Sequence, residues 1–236
     1  MKILAIETST PASSVALGED DAIRAMSVNV DGRGHVGFLM PAIDFCLGQA
    51  GWQPTDVDLV AVDVGPGPYT GLRAGIATAQ AFAAAVGAQM APVSSLTAIA
   101  LRAATGRRRI WPVVDMKRGQ FAVAPFQPLP GGVAPDGEPE VVKPDAFKAI
   151  LESEIGDTLV VGDWQTLPES TWTGLHRVRT GRPRYPSADT LLEIADLQGA
   201  HGNLSDPGDV RPIYMREPDV QINWKSFRSE GAWPDG

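Results

Sequence analysis

A glycine-rich turn at residues 65–75 is the first place in this sequence where phosphate chemistry could occur. It follows an apolar run and precedes a helical pattern, and a helix that begins behind such a turn can hold a phosphate with its free N–H groups. The dinucleotide-binding fingerprint needs a glycine three residues after Gly67, where this chain has Thr70. The P-loop needs a lysine after Gly71, where this chain has Leu72. The spacing therefore favours a tight strand-to-helix turn, with Thr70 as the helix N-cap, over a nucleotide site.

Four polar side chains elsewhere could contact a phosphate or a metal ion. Glu7, Thr8 and Thr10 follow an apolar segment at the start of the chain, and Asp115 follows another apolar segment. A turn that holds phosphate and metal commonly combines an acidic residue and a Thr or Ser with a glycine, whose backbone the phosphate approaches. This turn has no glycine, which impairs the approach of a phosphate to the backbone. We therefore predict a degenerate phosphate loop, with Asp115 capping a turn in preference to acting as a metal ligand or base.

The composition argues against disulfides, nucleic-acid binding by this chain alone and membrane spans. Cys46 is the only cysteine, so the sequence provides no internal disulfide, which fits a reducing cytoplasm. The three histidines, at 35, 176 and 201, share no motif spacing. The net charge of −8, from 20 basic and 28 acidic residues, argues against nucleic-acid binding by this chain alone, and the run 107–109 is interpreted as a solvated loop. No apolar run approaches the roughly 20 residues of a membrane span, so we expect a cytoplasmic protein.

The order of the expected elements indicates an α/β fold that occurs twice. The first half should contain strands at 2–7, 14–17 and 22–28, a helix at 36–50, a strand at 59–64 and a helix at 70–86. The order β-β-β-α-β-α is that of the ribonuclease H-like half-domain of actin, sugar kinases and chaperone ATPases. Strands at 110–115 and 120–126 suggest a second, similar half. The expected domains are residues 1–106 and 107–220, followed by an irregular tail at 221–236, with an exposed loop at 128–139.

The first two expected helices carry more apolar and small surface than one core should cover. Helix 36–50 is apolar on two faces, and one stripe of helix 70–86 contains only small residues. A glycine within a helix costs about 1 kcal/mol relative to alanine, so Gly75 indicates that another group approaches the backbone there. That group could belong to the same chain or to a partner. We predict a partner interface formed by Val36, Leu39, Met40, Ile43, Leu47, Gly71, Ala74, Gly75, Thr78 and Phe82. Arginine at Ala74 or Gly75 should then leave the fold intact and abolish partner binding.

Several motifs together resemble the TsaB family, also called YeaZ. They are ILAIETST at 3–10, GPGPYTGLRAGIATAQAF at 65–82, PVSSLTAIA at 92–100, VVDMKRGQF at 113–121 and RPIYMRE at 211–217. The resemblance covers almost the whole chain, and the glycine-turn helix is its most specific part. Glu7 stands where aspartate is common in the family, and Pro68-Tyr69 replaces Ser-Phe.

The resemblance implies a non-catalytic subunit of a complex that makes threonylcarbamoyladenosine in tRNA. Such a subunit binds the catalytic paralogue TsaD through its first two helices and recruits the ATPase TsaE. It implies that tRNA is bound only through the complex, that no cofactor is held by the isolated chain, and that ATP or ADP binds only in the complex. Without TsaD, we expect a homodimer through the same helices.

Two enzymatic functions are the alternatives. An ATP-dependent phosphotransferase of the same fold would place its phosphates at Glu7, Thr8, Thr10 and Asp115. A metallopeptidase would need the two metal-binding histidines of TsaD, whose positions here are Ser95 and Ile99, and isoleucine cannot bind a metal.

Overall fold

Five strands from the first half of the chain form one mixed sheet in the computed structural model, which describes residues 1–31 and 34–215. The strands are β1 (Lys2–Glu7), β2 (Ala12–Glu19), β3 (Ala22–Val30), β4 (Leu59–Gly65) and β5 (Gln89–Ser94). Their order in the sheet is β3-β2-β1-β4-β5, with β1 to β3 antiparallel and β4 and β5 parallel to β1. Each of the strands β1 and β4 is buried on both faces, as the apolar runs predict.

Two neighbouring helices cover one face of this sheet. They are α1 (His35–Ala50) and α2 (Tyr69–Val86). Alternate side chains of β1 divide between the faces: Leu4 and Ile6 pack in the cluster that contains both helices, whereas Ile3 and Ala5 pack on the other side. Pro41 lies within α1, which continues through it. The proline and Gly37, whose carbonyl loses its helical partner, are both exposed, so water can satisfy that carbonyl.

The second half of the chain repeats the strand order of the first. Its strands are β6 (Arg109–Asp115), β7 (Phe121–Val123), β8 (Phe126–Leu129), β9 (Gly132–Pro135), β10 (Glu140–Val142), β11 (Thr158–Gly162) and β12 (Val178–Thr180). The order β10-β7-β6-β11-β12 has the same antiparallel and parallel pairings as the first sheet, with β8 and β9 as an added hairpin. Helix α4 (Pro144–Ser153) covers one face. This repetition confirms the predicted duplicated ribonuclease H-like α/β fold.

Each of two further helices packs against the sheet of the other half of the chain. Helix α3 (Ser95–Ala103) follows the first sheet in sequence, but its Leu96, Ile99 and Ala103 pack against the second sheet. Helix α5 (Ala188–Ala200) follows the second sheet, but its Leu191 and Ala195 pack against the first. The expected boundary at residue 106 falls between β5 and β6, and the assignment of 107–220 to a separate domain stays a prediction.

Two local predictions are wrong. Helix α2 begins at Tyr69, so its N-cap is Pro68 and not Thr70. Residues 128–139 are not a simple loop, because β8 and β9 pair through a two-residue turn at Pro130-Gly131, and Gly131 has the positive φ of 76° that such a turn requires. The expected tail at 221–236 lies outside the described residues. Among the described helices, none is both long enough and apolar enough to span a membrane.

Candidate functional site

The turn that follows β1 is buried instead of open to a phosphate. Glu7, Thr8, Ser9 and Thr10 are each no more than 3% exposed. The backbone N–H of Ser9 donates to Glu7 Oε1 at 2.6 Å, and the Ser9 hydroxyl lies 2.8 Å from the same oxygen. The Thr8 hydroxyl donates to the Gly71 carbonyl at 2.8 Å. The Ser9 N–H and the Thr8 hydroxyl are therefore already used within the chain, whereas the buried Thr10 hydroxyl has no hydrogen-bond partner among the described residues.

The glycines at positions 67, 71 and 75 explain this burial. A Cβ at Gly67 would lie 2.1 Å from the Ser9 carbonyl oxygen, and one at Gly71 would lie 2.1 Å from the Thr8 carbonyl oxygen. A Cβ at Gly75 would lie 2.3 Å from Thr8 Oγ1. Real Cβ atoms do not approach so closely, so the glycines allow α2 and the preceding turn to pack directly on the turn after β1. The group that approaches the small-residue stripe thus belongs, at these positions, to the same chain.

A second carboxyl group joins the buried turn. Asp63 lies in β4 and is 2% exposed. Its Oδ1 accepts hydrogen bonds from the Ser95 hydroxyl at 2.6 Å and from the Gly65 N–H at 2.7 Å, and its Oδ2 lies 3.0 Å from Ser9 Oγ. A serine hydroxyl has one hydrogen, so Ser9 can donate to only one of the two carboxyls that it contacts.

The two carboxyls are held in unfavourable surroundings for two negative charges. Burial, with the negative charge of Asp63 as a second cause, raises the pKa of Glu7 well above its ordinary value. Burial raises the pKa of Asp63 to about 6, although its three hydrogen bonds oppose the shift. If one of the two carboxyls is protonated, Ser9 Oγ can accept a hydrogen bond from it and donate one to the other. The second oxygen of Glu7, Oε2, has no hydrogen-bond partner among the described residues. Asp63 was not predicted from the sequence, although a lone acid in an otherwise apolar strand was the available signal.

The fourth residue of the predicted phosphate loop lies in a separate turn. Asp115 accepts hydrogen bonds from the Lys117 backbone N–H at 2.7 Å and from Lys117 Nζ at 3.0 Å. Lys117 and Arg118 have positive φ angles of 66° and 57°, so Asp115 caps a strained turn. The N–H of Asp115 donates to Asp163 Oδ2 at 3.1 Å, so this turn is bonded to the end of the neighbouring strand β11.

The predicted partner interface is divided between the core and the surface. Five of its residues are buried in the chain itself, which corrects the prediction that they contact a partner directly: Leu39, Ile43, Leu47, Gly71 and Gly75. Val36 and Met40 are 74% and 58% exposed, and Ala74, Thr78 and Phe82 are half-buried. For these five, partner contact stays a prediction.

The exposed face of the two helices also contains residues outside the predicted interface. Phe45 of α1 is 52% exposed and lines a groove between α1 and β3, together with Ser27 and Asn29. Exposed alanines of α2 lie at 77, 81, 84 and 85. We call Val36, Met40, Ala77 and Ala81 the helical face. Its members are small or apolar, and Asp44 and Arg73 are the exposed charged residues of the same two helices.

The positions of the TsaD histidines are occupied by residues with structural roles. Ser95 bonds to Asp63, and Ile99 is fully buried. Within residues 1–31 and 34–215, no group of three or more His, Cys, Asp or Glu side chains could hold a metal ion.

Comparisons with known proteins agree with this geometry. A family model described as TsaD, tRNA N6-adenosine threonylcarbamoyltransferase, matches residues 29–147. The tRNA threonylcarbamoyladenosine biosynthesis protein TsaB of Escherichia coli is 31% identical over 96% of this chain and 98% of its own length. An uncharacterized protein of Mycobacterium tuberculosis is 41% identical over 93% of each chain. The structure of YeaZ from Pseudomonas aeruginosa matches with a TM-score of 0.78 and 26% identity, over 90% of this chain and 99% of that one. On the strength of its near full-length likeness to TsaB, the chain belongs to the TsaB (YeaZ) family.

Proposed function

We propose that this chain acts in tRNA threonylcarbamoyladenosine biosynthesis as a non-catalytic subunit that binds and supports a TsaD-type catalytic paralogue. The observation that carries the proposal is the helical face, where two adjacent helices expose apolar and small side chains and only two exposed charged residues, Asp44 and Arg73, lie on those helices. Exposed apolar patches on soluble proteins commonly mark the sites of protein–protein contact.

The chemistry of the helical face suits another helix. Alanines along α2 let a partner backbone approach closely, because they have little side chain to displace. Val36 and Met40 of α1 supply larger apolar groups. Gly37 and Gly48 of α1 have no atom within 4 Å of the position of a Cβ, so they leave room at the surface. Ridges of a partner helix can fill such grooves.

The buried turn supports a role without phosphate transfer by this chain. Thr8 and Ser9 use their hydroxyls in bonds that hold α2 and β4 in place. Burial raises the pKa of Glu7 above its ordinary value, and the Ser9 N–H and hydroxyl both lie within hydrogen-bond distance of its Oε1. These residues act as packing and bonding groups beneath α2, which presents the helical face.

The proposal also includes the remaining partners that the family resemblance implies. A TsaE-type ATPase joins the complex, the transfer places a threonylcarbamoyl group on the adenosine next to the tRNA anticodon, and ATP or ADP binds only in the complex. The assembly works in the cytoplasm. In the absence of TsaD, two copies of this chain associate through the helical face.

The test is co-elution with the TsaD-type subunit on size-exclusion chromatography. Met40→Arg and Ala81→Arg each place a charge on the helical face and should abolish co-elution and self-association. Ala149→Arg makes the same change on α4, away from the helical face, and should leave both intact. Co-elution that survives both helical-face variants would refute this interface.

Gly75→Arg, which the sequence alone suggests as the test, is not suitable. Its side chain would collide with Thr8, so loss of binding could reflect loss of the fold.

A further inference from the structure

A short segment of the second half has a charge opposite to that of the whole chain. Residues 176–186 (HRVRTGRPRYP) contain four arginines and no acidic residue, in a chain with eight more acidic than basic residues. Of these arginines, only Arg184 has a described carboxylate within ion-pair distance, and its Nε lies as far as 4.0 Å from Asp163. Arginines that are not neutralised in this way leave a local positive field.

The arginines follow the free edge of the second sheet. β12 pairs only with β11 in the described structure, and Arg177 and Arg179 are exposed at its start and middle. They lie two residues apart on an extended strand, or about 6.6 Å along it. Both donate to backbone carbonyls, which orients the guanidinium groups without removing their charge.

The segment then enters a groove between the two halves. The groove has a volume of about 1000 Å³ and is lined on one side by Arg182, Arg184, Tyr185 and Trp164. The Arg184 guanidinium lies 4.9 Å from the centre of the Tyr185 ring, which is the geometry of a cation–π contact. Asp189 is the one carboxylate among the described lining residues, and Arg102 pairs with it at 3.1 Å.

The opposite wall of the groove is aliphatic. Val28 and Val30 of β3 are 56% and 65% exposed there, beside Met26. The groove thus combines guanidinium groups that lack a close carboxylate, two aromatic rings and apolar side chains. Single-stranded nucleic acid is recognised by the same combination, since guanidinium groups bind phosphates while bases stack on aromatic and apolar surfaces.

We propose that this basic groove, with Arg182, Arg184 and Tyr185 in its lining and Arg177 and Arg179 on the neighbouring β12 edge, contacts an unpaired segment of RNA in the assembled complex. The inference rests on the proposed function, which brings tRNA to the complex. The arginines extend from the groove along the β12 edge, so they fit a strand with several phosphates better than a single nucleotide. The net charge of the chain did not reveal this surface, because Asp189 is the only acidic residue among its described lining residues.

The test measures the affinity of the complex with the TsaD-type subunit for tRNA at several salt concentrations. Arg182→Gln combined with Arg184→Gln removes two charges from the groove. The slope of log affinity against log salt should then fall by about 0.7 to 0.9 for each phosphate that these arginines no longer neutralise. Lys143→Gln combined with Lys148→Gln removes two charges at α4 and should leave the slope unchanged.

A second variant separates stacking from charge. Tyr185→Leu should lower the affinity by about five-fold or more at every salt concentration, while the slope stays the same. Equal slopes for the wild type and the arginine variant, or an equal fall in the lysine variant, would overturn the proposal. Competition by ATP as effective as competition by unlabelled tRNA would also overturn it.

Co-elution of each variant with the TsaD-type subunit is recorded separately. A complex that forms normally but whose RNA binding is insensitive to the groove variants contradicts this inference and leaves the proposed function standing. If no complex forms even with the wild type, the proposed function fails, and the groove is then tested with the chain alone at low salt. In that measurement, a smaller slope of log affinity against log salt for the arginine variant supports an RNA-binding groove. Equal slopes for the variant and the wild type refute it.

Discussion

Gly75 of α2 and Thr8 of the turn after β1 are in direct contact: a Cβ on Gly75 would lie 2.3 Å from Thr8 Oγ1. The same hydroxyl donates to the Gly71 carbonyl one turn earlier in α2. The glycine therefore serves the internal packing of the chain, and it fixes the height of α2 above the sheet. The position of the helical face depends on this contact, although Gly75 is not part of that face.

Gly75→Ala should destabilise the protein by about 1 to 2 kcal/mol. Overpacking of a buried contact costs roughly 1 to 3 kcal/mol, and the better helix propensity of alanine returns up to about 1 kcal/mol. Thr8 is β-branched and hydrogen-bonded, so it cannot rotate away freely. Urea unfolding measures the change. Gly48→Ala, at an open position of α1, is the control and should stabilise instead. Equal effects of the two substitutions would contradict the close contact.

Asp63→Asn should stabilise the protein at pH 7.5 by about 1 to 3 kcal/mol. Burial raises the folded-state pKa of Asp63 to about 6, above its ordinary value of 3.8, so the folded state holds the proton more tightly than the unfolded state. The wild type therefore loses stability as the pH rises between these values. An asparagine has no charge to lose, and its amide can donate to Ser9 Oγ, which lies 3.0 Å from Oδ2.

The measurement for this substitution is urea unfolding from pH 4 to pH 8. The difference between the variant and the wild type should shrink towards the acid end, because folded Asp63 is protonated there and unfolded Asp63 becomes increasingly protonated. A residual fall with rising pH is expected from Glu7, whose pKa is also raised by burial. Asp44→Asn, on the exposed side of α1, should leave the profile unchanged. A variant that is less stable than the wild type at pH 7.5 would count against the buried pair.

Tyr214→Ala should loosen the segment that crosses the start of α2. The Tyr214 ring stacks on Tyr69 with 5.5 Å between centres, and its oxygen accepts a hydrogen bond from Arg73 Nε at 3.1 Å. Removal of an aromatic pair costs about 0.5 to 1.5 kcal/mol, so local opening should become about two- to ten-fold more frequent. Hydrogen exchange of the Ile213 N–H, which bonds to the Val64 carbonyl, reports this. The Gly162 N–H, in the second sheet, should exchange as before.

The isolated chain should not bind ATP and magnesium with micromolar affinity in calorimetry. The Ser9 N–H and the Thr8 hydroxyl already have partners, and a phosphate would have to break those bonds within a buried turn. Micromolar binding would instead favour the phosphotransferase alternative. The same titration with the TsaD complex tests whether nucleotide binding needs the partner.

The sheets were predictable from the sequence because their strands are short apolar runs separated by turn residues. The small-residue stripe of α2 was harder to interpret, since spacing shows that a group approaches but not which group. Thr8 is 67 residues away from Gly75 and is an ordinary hydroxyl residue in the sequence. The hairpin at Pro130-Gly131 was detectable from its turn dipeptide, but the many prolines and glycines around it suggested a loop.

The buried carboxyl pair could not be predicted for a different reason. Glu7 and Asp63 come from two strands whose pairing had to be known first, since β1 and β4 lie side by side in the sheet. Only that register brings Ser9 within reach of both acids. The lone aspartate in β4 marked a special position without indicating its partner.

The exchange of α3 and α5 has a consequence for any attempt to divide the molecule. A fragment that ends near residue 106 would keep α3 without the sheet that it covers and would leave the α5 side of its own sheet open to water. The complementary fragment would have the reverse defect. Each fragment would therefore expose apolar surface in isolation, and the two fragments are expected to recombine when mixed. The whole chain should accordingly unfold as a single cooperative unit.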